Sequence, residues 1–189
     1  HARIKSVNTA KAKSAPGVVA VFTGQDVQTG PLPGGWLLPG IKVPPRPVLA
    51  QGKVRYVGEP VAIVIAESAY AAKDAAELVD VQYEPLPAVV DCQKAHAKSA
   101  SQLFDDVPEN QSFDWSIGDK AKTDEAFKAA AVVVKQRLVN QRLITNAIEP
   151  RACAASYAPA TGDLTLWVTS QNPHVARLLR GASEINGFS

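Results

Sequence analysis

The sequence predicts an α/β chain in two parts, and three observations carry that prediction. Residues 1–91 alternate strand-like and helix-like patterns, residues 92–119 lose any long apolar period, and residues 120–189 open as a helix and return to strands. Connections of such varied length predict a mixed rather than purely parallel sheet in the first block.

"RIKSVNT" puts Ile4 and Val7 in a short extended run, "AKAKSAPG" reads as a helical turn closed by Pro16 and Gly17, and "VVAVFT" is a strand rich in branched residues. Together they predict a βαβ opening. Residues 30–47 then hold ten Gly or Pro in eighteen positions, which excludes continuous helix or central strand and predicts a loop. Its Trp36, Leu37 and Leu38 are too apolar for a free linker and are expected to be pinned, against the core or a partner chain.

In "GEPVAIVIAES", residues Val61 to Ala66 are apolar at every position, as expected of a strand covered on both faces. Ser68 is placed to cap the helix "AYAAKDAAELV", with Lys73 and Glu77 spaced for an i,i+4 pair and Tyr70, Ala71, Ala75 and Leu78 as the inner stripe. "DVQYEPLPAVVD" returns as an extended segment cut by Pro85 and Pro87. Residues 92–119 read as a domain joint, whose acidic Asp105, Asp106 and Glu109 are explained by solvation more simply than by metal binding.

The second block starts with the helix "KTDEAFKAA", capped by Asp119 or Thr123, and continues into "AVVVKQRLVNQRL" as a long extended run. "ACAASY" and "LTLWVTS" are expected to pair as a hairpin about Gly162. Alternation puts Leu164, Leu166 and Val168 on one face and Thr165, Trp167 and Thr169 on the other; a strand two residues longer would carry Gln171 on the Trp167 side. Asn172 and Pro173 then start a helix striped by Val175, Leu178, Leu179 and Ala182, with Arg177 and Arg180 late and Gly181 as its stop. Gln171 thus falls where a strand end meets a helix start, an edge at which α/β proteins bind ligands. From pattern alone, a glutamine steadying the turn is the simpler reading.

Composition narrows the function classes. Lys plus Arg exceeds Asp plus Glu by only two, in scattered positions, so no nucleic-acid partner is expected. No apolar run approaches the roughly 20 residues of a membrane helix, so no span is expected. Cys92 and Cys153 lie far apart, and the histidines at 1, 96 and 174 are equally dispersed, which argues against a metal held by this chain alone. The chain starts with His and contains no Met, and no leader pattern opens it.

Several stretches carry a resemblance. "HARIKSVNTAKAKSAPGVVAVFTGQDV", "PVLAQGKVRYVGEPVAIVIAESAYAAKDAAELVDVQYEPLPAVVD", "FDWSIGD", "LVNQRLITNAIEPRACAASY" and "LTLWVTSQNPH" resemble, in order, the large subunit of molybdenum hydroxylases: the xanthine dehydrogenase, aldehyde oxidase and aerobic carbon monoxide dehydrogenase family, nearest its carbon monoxide dehydrogenase type. The resemblance implies an α/β hammerhead domain over 1–91, lacking its usual first strand, a linker over 92–119, and the truncated start of a molybdopterin-binding domain over 120–189. It implies a molybdenum–molybdopterin cofactor, of cytosine dinucleotide type, in the intact enzyme and absent from this piece. Iron-sulfur clusters and FAD would sit on small and medium partner subunits, in the cytoplasm or the periplasm.

In that family the strand ending in Thr-Gln or Ser-Gln carries a glutamine that hydrogen-bonds an oxygen ligand of molybdenum, and "VTSQNPH" puts Gln171 there. An uncharged amide donates to a metal oxo group without adding formal charge to a redox centre. Glu149, in "NAIEPRA", lies in another family stretch; if buried it would need Arg142, Arg151 or backbone donors, and it is expected to be structural. Members commonly have Met at Ile148. The family's glycine-rich loop and catalytic glutamate match nothing in these residues and are expected downstream, so no catalytic residue and no direct metal ligand is assigned and the isolated chain is expected to be inactive. The alternative reading is a non-enzymatic hammerhead-like assembly module that docks through the 30–47 loop.

Overall fold

The computed structural model describes residues 1–27, 39–141 and 143–174. They form two units, His1–Ile117 and Gly118–Ser189.

In the first unit β1 (Ala2–Asn8) lies between β3 (Lys53–Val54) and β5 (Asp80–Pro85), while β2 (Val18–Thr23) pairs with β4 (Ala62–Ala66) in a second sheet. The described pairings are all antiparallel, which excludes the purely parallel sheet, as expected, while the parallel pairs of a mixed sheet are not found among the described residues. The expected βαβ opening is corrected: β1 and β2, although joined by the short helix α1 (Ala10–Lys13), belong to different sheets. β1 finds its partner some seventy residues downstream, with Asn8 opposite Asp80. A bulge between Ile4 and Ser6 explains how Ile4 and Val7, an odd number of residues apart, are both partly buried while Arg3 and Lys5 are exposed.

Helices α1 and α2 (Ala69–Glu77) pack on the β2–β4 sheet and on one another. Ser68 caps α2, its hydroxyl accepting the Ala71 N–H at 3.1 Å. The helix approaches through its small side chains: Ala75 is fully buried, as is Ala12 of α1, and Ala71 lies 3.4 Å from where a Cβ on Gly17 would stand. Gly17 turns there with φ +73° and its carbonyl accepts the Glu67 N–H, so the turn needs both the absent side chain and the left-handed backbone. The expected stripe is corrected at Tyr70, which points outward at 83% exposure, and at Leu78, which is also exposed, while Lys73 and Glu77 form no ion pair.

β4 is also corrected. Val64 faces inward opposite the buried Val21, whereas Ile63 and Ile65 are exposed, with Phe22 opposite Ile63. The strand is therefore covered on one face within this unit. Trp36, Leu37 and Leu38 lie outside the described residues. The described end of their loop is tied down, since Lys42 N–H donates to the Ser112 carbonyl at 2.8 Å and Ser112 Oγ donates to the Lys42 carbonyl at 2.9 Å.

Residues 92–117 group with the first unit and are fastened to it by Arg55, just after β3. Its Nε donates to the Leu103 carbonyl at 2.9 Å, its guanidinium lies 4.1 Å over the Phe104 ring, and Nη1 sits 3.6 Å from Glu59 Oε1. Lys53 pairs with Asp105, and Asn110 ties the loop through Leu103 N–H and the Ala95 and Ser101 carbonyls.

In the second unit α3 (Lys120–Ala129) is capped by Asp119, whose carboxylate accepts the Lys122 N–H at 3.0 Å. The expected extended run after it carries no assigned strand among the described residues. The hairpin forms as expected, β6 (Cys153–Ala158) against β7 (Asp163–Val168), with Gly162 at φ +75° in its turn.

Candidate functional site

The end of the β6–β7 hairpin positions the residues that the sequence singles out. Val168 is opposite Cys153 in the last ladder pair, and the pairing continues one step further as Thr169 N–H donates to the Ala152 carbonyl at 3.1 Å. The chain then leaves the sheet. The strand does not run on to Gln171: β7 ends at Val168, and Gln171 sits in a bend.

That bend is closed by a local bond in which Ser170 Oγ accepts the Asn172 N–H at 3.2 Å, spanning Gln171. Pro173 and His174 have helical backbone, so a helix starts where the sequence places it; the stripe Val175 to Ala182 lies outside the described residues. The Gln171 side chain is exposed and makes no hydrogen bond among the described residues. Its amide offers two N–H donors and one acceptor without formal charge. The reading of Gln171 as a residue that steadies the turn through its own amide is not needed, since Ser170 does this.

Glu149 lies beside the same strand end. Thr169 Oγ1 donates to Glu149 Oε1 at 3.5 Å, and Glu149 is exposed. The expectation that a buried Glu149 would need Arg142 or Arg151 is therefore replaced by a hydroxyl partner, and Arg142 lies outside the described residues. Ile148 is fully exposed, and Asn146 holds a left-handed φ of +45° where the segment turns toward β6. The structure thus brings Glu149, Thr169 and the Gln171 bend to one end of the hairpin. Thr169 was not singled out by sequence, although the strand alternation placed it on the Gln171 side.

Among the described residues no group of three His, Cys, Asp or Glu converges, and Cys92 and Cys153 are exposed, free thiols. No described helix is long and apolar enough to cross a membrane. An open groove of about 440 Å³ runs beside α3, lined by Phe127, Ala130 and Val132 to Val134, and carries no cluster of titratable groups. The site can present an amide to a group held elsewhere. The donor set suits a metal-bound oxygen, which accepts hydrogen bonds and does not require a charged partner.

Comparisons with known proteins give two successive family matches along the chain. Residues 1–87 match the family model "aldehyde oxidase and xanthine dehydrogenase, a/b hammerhead domain", and residues 103–182 match that of the molybdopterin cofactor-binding domain. The chain is 42% identical to the carbon monoxide dehydrogenase large chain of Afipia carboxidovorans, over 94% of this chain and 23% of that one. It is 35% identical to the nicotine 6-hydroxylase large subunit of Paenarthrobacter nicotinovorans, over 94% and 22%. The fold superposes on CO dehydrogenase from Oligotropha carboxidovorans with a TM-score of 0.82 and 38% identity, covering 96% of this chain and 24% of that one. The chain thus spans about a quarter of the length of the curated relatives it matches.

Proposed function

Because the chain belongs to the aldehyde oxidase and xanthine dehydrogenase family of molybdenum hydroxylase large subunits, we propose that it serves an oxidoreductase that hydroxylates a substrate carbon with oxygen from water or oxidises carbon monoxide. Its share of that work is to place the Gln171 amide against an oxygen ligand of molybdenum. The observation that carries this reading is the geometry of the strand end: an uncharged donor, exposed, without a hydrogen bond among the described residues and held in a closed bend between β7 and a helix start.

Residues 1–91 are read as the hammerhead part, 92–119 as the joint, fastened to the first unit as far as Ile117, and 120–189 as a portion of the cofactor-binding part. The cofactor would supply the redox chemistry, as a molybdenum–molybdopterin of cytosine dinucleotide type. Electrons would leave through iron-sulfur clusters and FAD on partner subunits in the cytoplasm. The residues of this chain bind and orient: Gln171 donates hydrogen bonds, Ser170 fixes its bend, and the hairpin holds both. No general base is assigned among these residues.

The test is Gln171→Ala in the assembled enzyme, assayed with carbon monoxide, an aldehyde and a nitrogen heterocycle. Loss of an outer contact to a metal ligand is expected to lower turnover about 10- to 100-fold. Unchanged turnover on the substrate that the enzyme accepts would remove Gln171 from the site.

A further inference from the structure

Beyond Thr169 the hairpin has no further backbone pairing among the described residues, so whatever fixes the direction in which the chain departs also fixes Gln171. One side-chain contact reaches it from the segment that leads into β6: Thr169 Oγ1 to Glu149 Oε1, alongside the Thr169 N–H to Ala152 bond. Thr169 is β-branched and stiff about χ1, so a hydroxyl held on one side constrains the backbone that bears it. Glu149 is fixed in turn by sitting three residues before Ala152, whose carbonyl holds the same threonine.

We propose that Glu149 and Thr169 are positioning residues for the Gln171 amide: the carboxylate anchors the threonine hydroxyl, and the threonine sets where the bend presents its donors. This rests on the reading that Gln171 faces a molybdenum ligand. Glu149 acts here as a hydrogen-bond acceptor through another residue and moves no proton of the substrate. Its exposure within the second unit suits an anchoring role, since a charged acceptor there carries no burial cost.

Mo(V) electron paramagnetic resonance of the assembled enzyme, reduced with dithionite and normalised to molybdenum content, tests the proposal. The variants are Gln171→Ala, Glu149→Ala, Glu149→Gln, Thr169→Val and Thr169→Ser. Gln171→Ala should shift the signal; Thr169→Val, nearly isosteric, and Glu149→Ala should shift it in the same direction and lower kcat about 3- to 10-fold with KM little changed, a step less than the loss of a direct outer contact. Thr169→Ser, which restores the hydroxyl, and Glu149→Gln, which keeps an acceptor oxygen, should move the signal back toward wild type. A shift with Gln171→Ala but wild-type signals for Thr169→Val and Glu149→Ala would overturn the positioning role while leaving that of Gln171 intact. A wild-type signal for Gln171→Ala would overturn both.

Discussion

Replacing Arg55 with Ala removes four contacts at once, the weakest of them a 3.5 Å bond from Nη1 to the Lys53 carbonyl. The Nε bond to the Leu103 carbonyl, at 2.9 Å with a charged donor, is worth about 1.5–3 kcal/mol. The guanidinium 4.1 Å above Phe104 adds about 0.5–2 kcal/mol. The contact with Glu59 is long, at 3.6 Å, but both side chains are mostly covered, at 19% and 12% exposure, so losing Arg55 leaves a carboxylate with little solvent. These terms share one side chain and do not add fully, which puts the loss at about 3 kcal/mol. At roughly 2.1 cal/mol/K of unfolding entropy per residue, a unit spanning His1–Ile117 should lose about 12 °C in Tm. Calorimetry reads the shift, and amide hydrogen exchange reads its location, with protection at Leu103 and Val107 falling most. Arg55→Lys, which keeps the charge but loses the planar fork and stacking, should fall between. A Tm change below about 3 °C, with unaltered protection over 101–110, would refute the claim that Arg55 fastens this segment.

Two further outcomes follow from the first unit. A Cβ on Gly24 would stand 2.8 Å from the Ala50 carbonyl oxygen and 3.1 Å from that of Leu49, both backbone atoms, so Gly24→Ala should destabilise by about 1–3 kcal/mol in urea unfolding; an unchanged midpoint would show that the 49–51 backbone yields freely. Asp26 accepts the Thr23 hydroxyl and N–H, each at 2.7 Å, and the Thr23 hydroxyl first and its N–H second hold the carboxyl below its usual 3.8. A lowered folded value means that this turn's contribution is complete above pH 3.8 and is lost as pH falls through the folded value. NMR titration of Asp26 should therefore give a midpoint under 3.8, and Asp26→Asn should remove that part of the acid dependence; a midpoint at or above 3.8 contradicts the turn geometry.

Local signals were readable in the sequence because their physics is local. The Ser68 and Asp119 caps, the Gly162 hairpin and the helical turn entered at Pro173 each depend on a few neighbouring residues. Long-range choices were not readable. The β1–β5 pairing spans most of the first unit, and nothing in "RIKSVNT" distinguishes it from pairing with the nearby β2. The outward turn of Tyr70 has another origin: α2 meets its sheet through alanines, so periodicity counted by hydrophobicity chose the largest residue rather than the smallest. At the candidate site, helix-start chemistry marked the turn that bears Gln171, whereas the Thr169–Glu149 contact joins residues twenty apart and appears only once the hairpin register is known.

The central claim is that this chain helps to hold a molybdenum cofactor. Molybdenum and released pterin nucleotide, quantified together in the purified enzyme that carries this chain, test it directly. About one molybdenum with one pterin cytosine dinucleotide per large subunit is the expected result, consistent with a single cofactor site per copy. An active, fully assembled enzyme containing neither molybdenum nor pterin would contradict it.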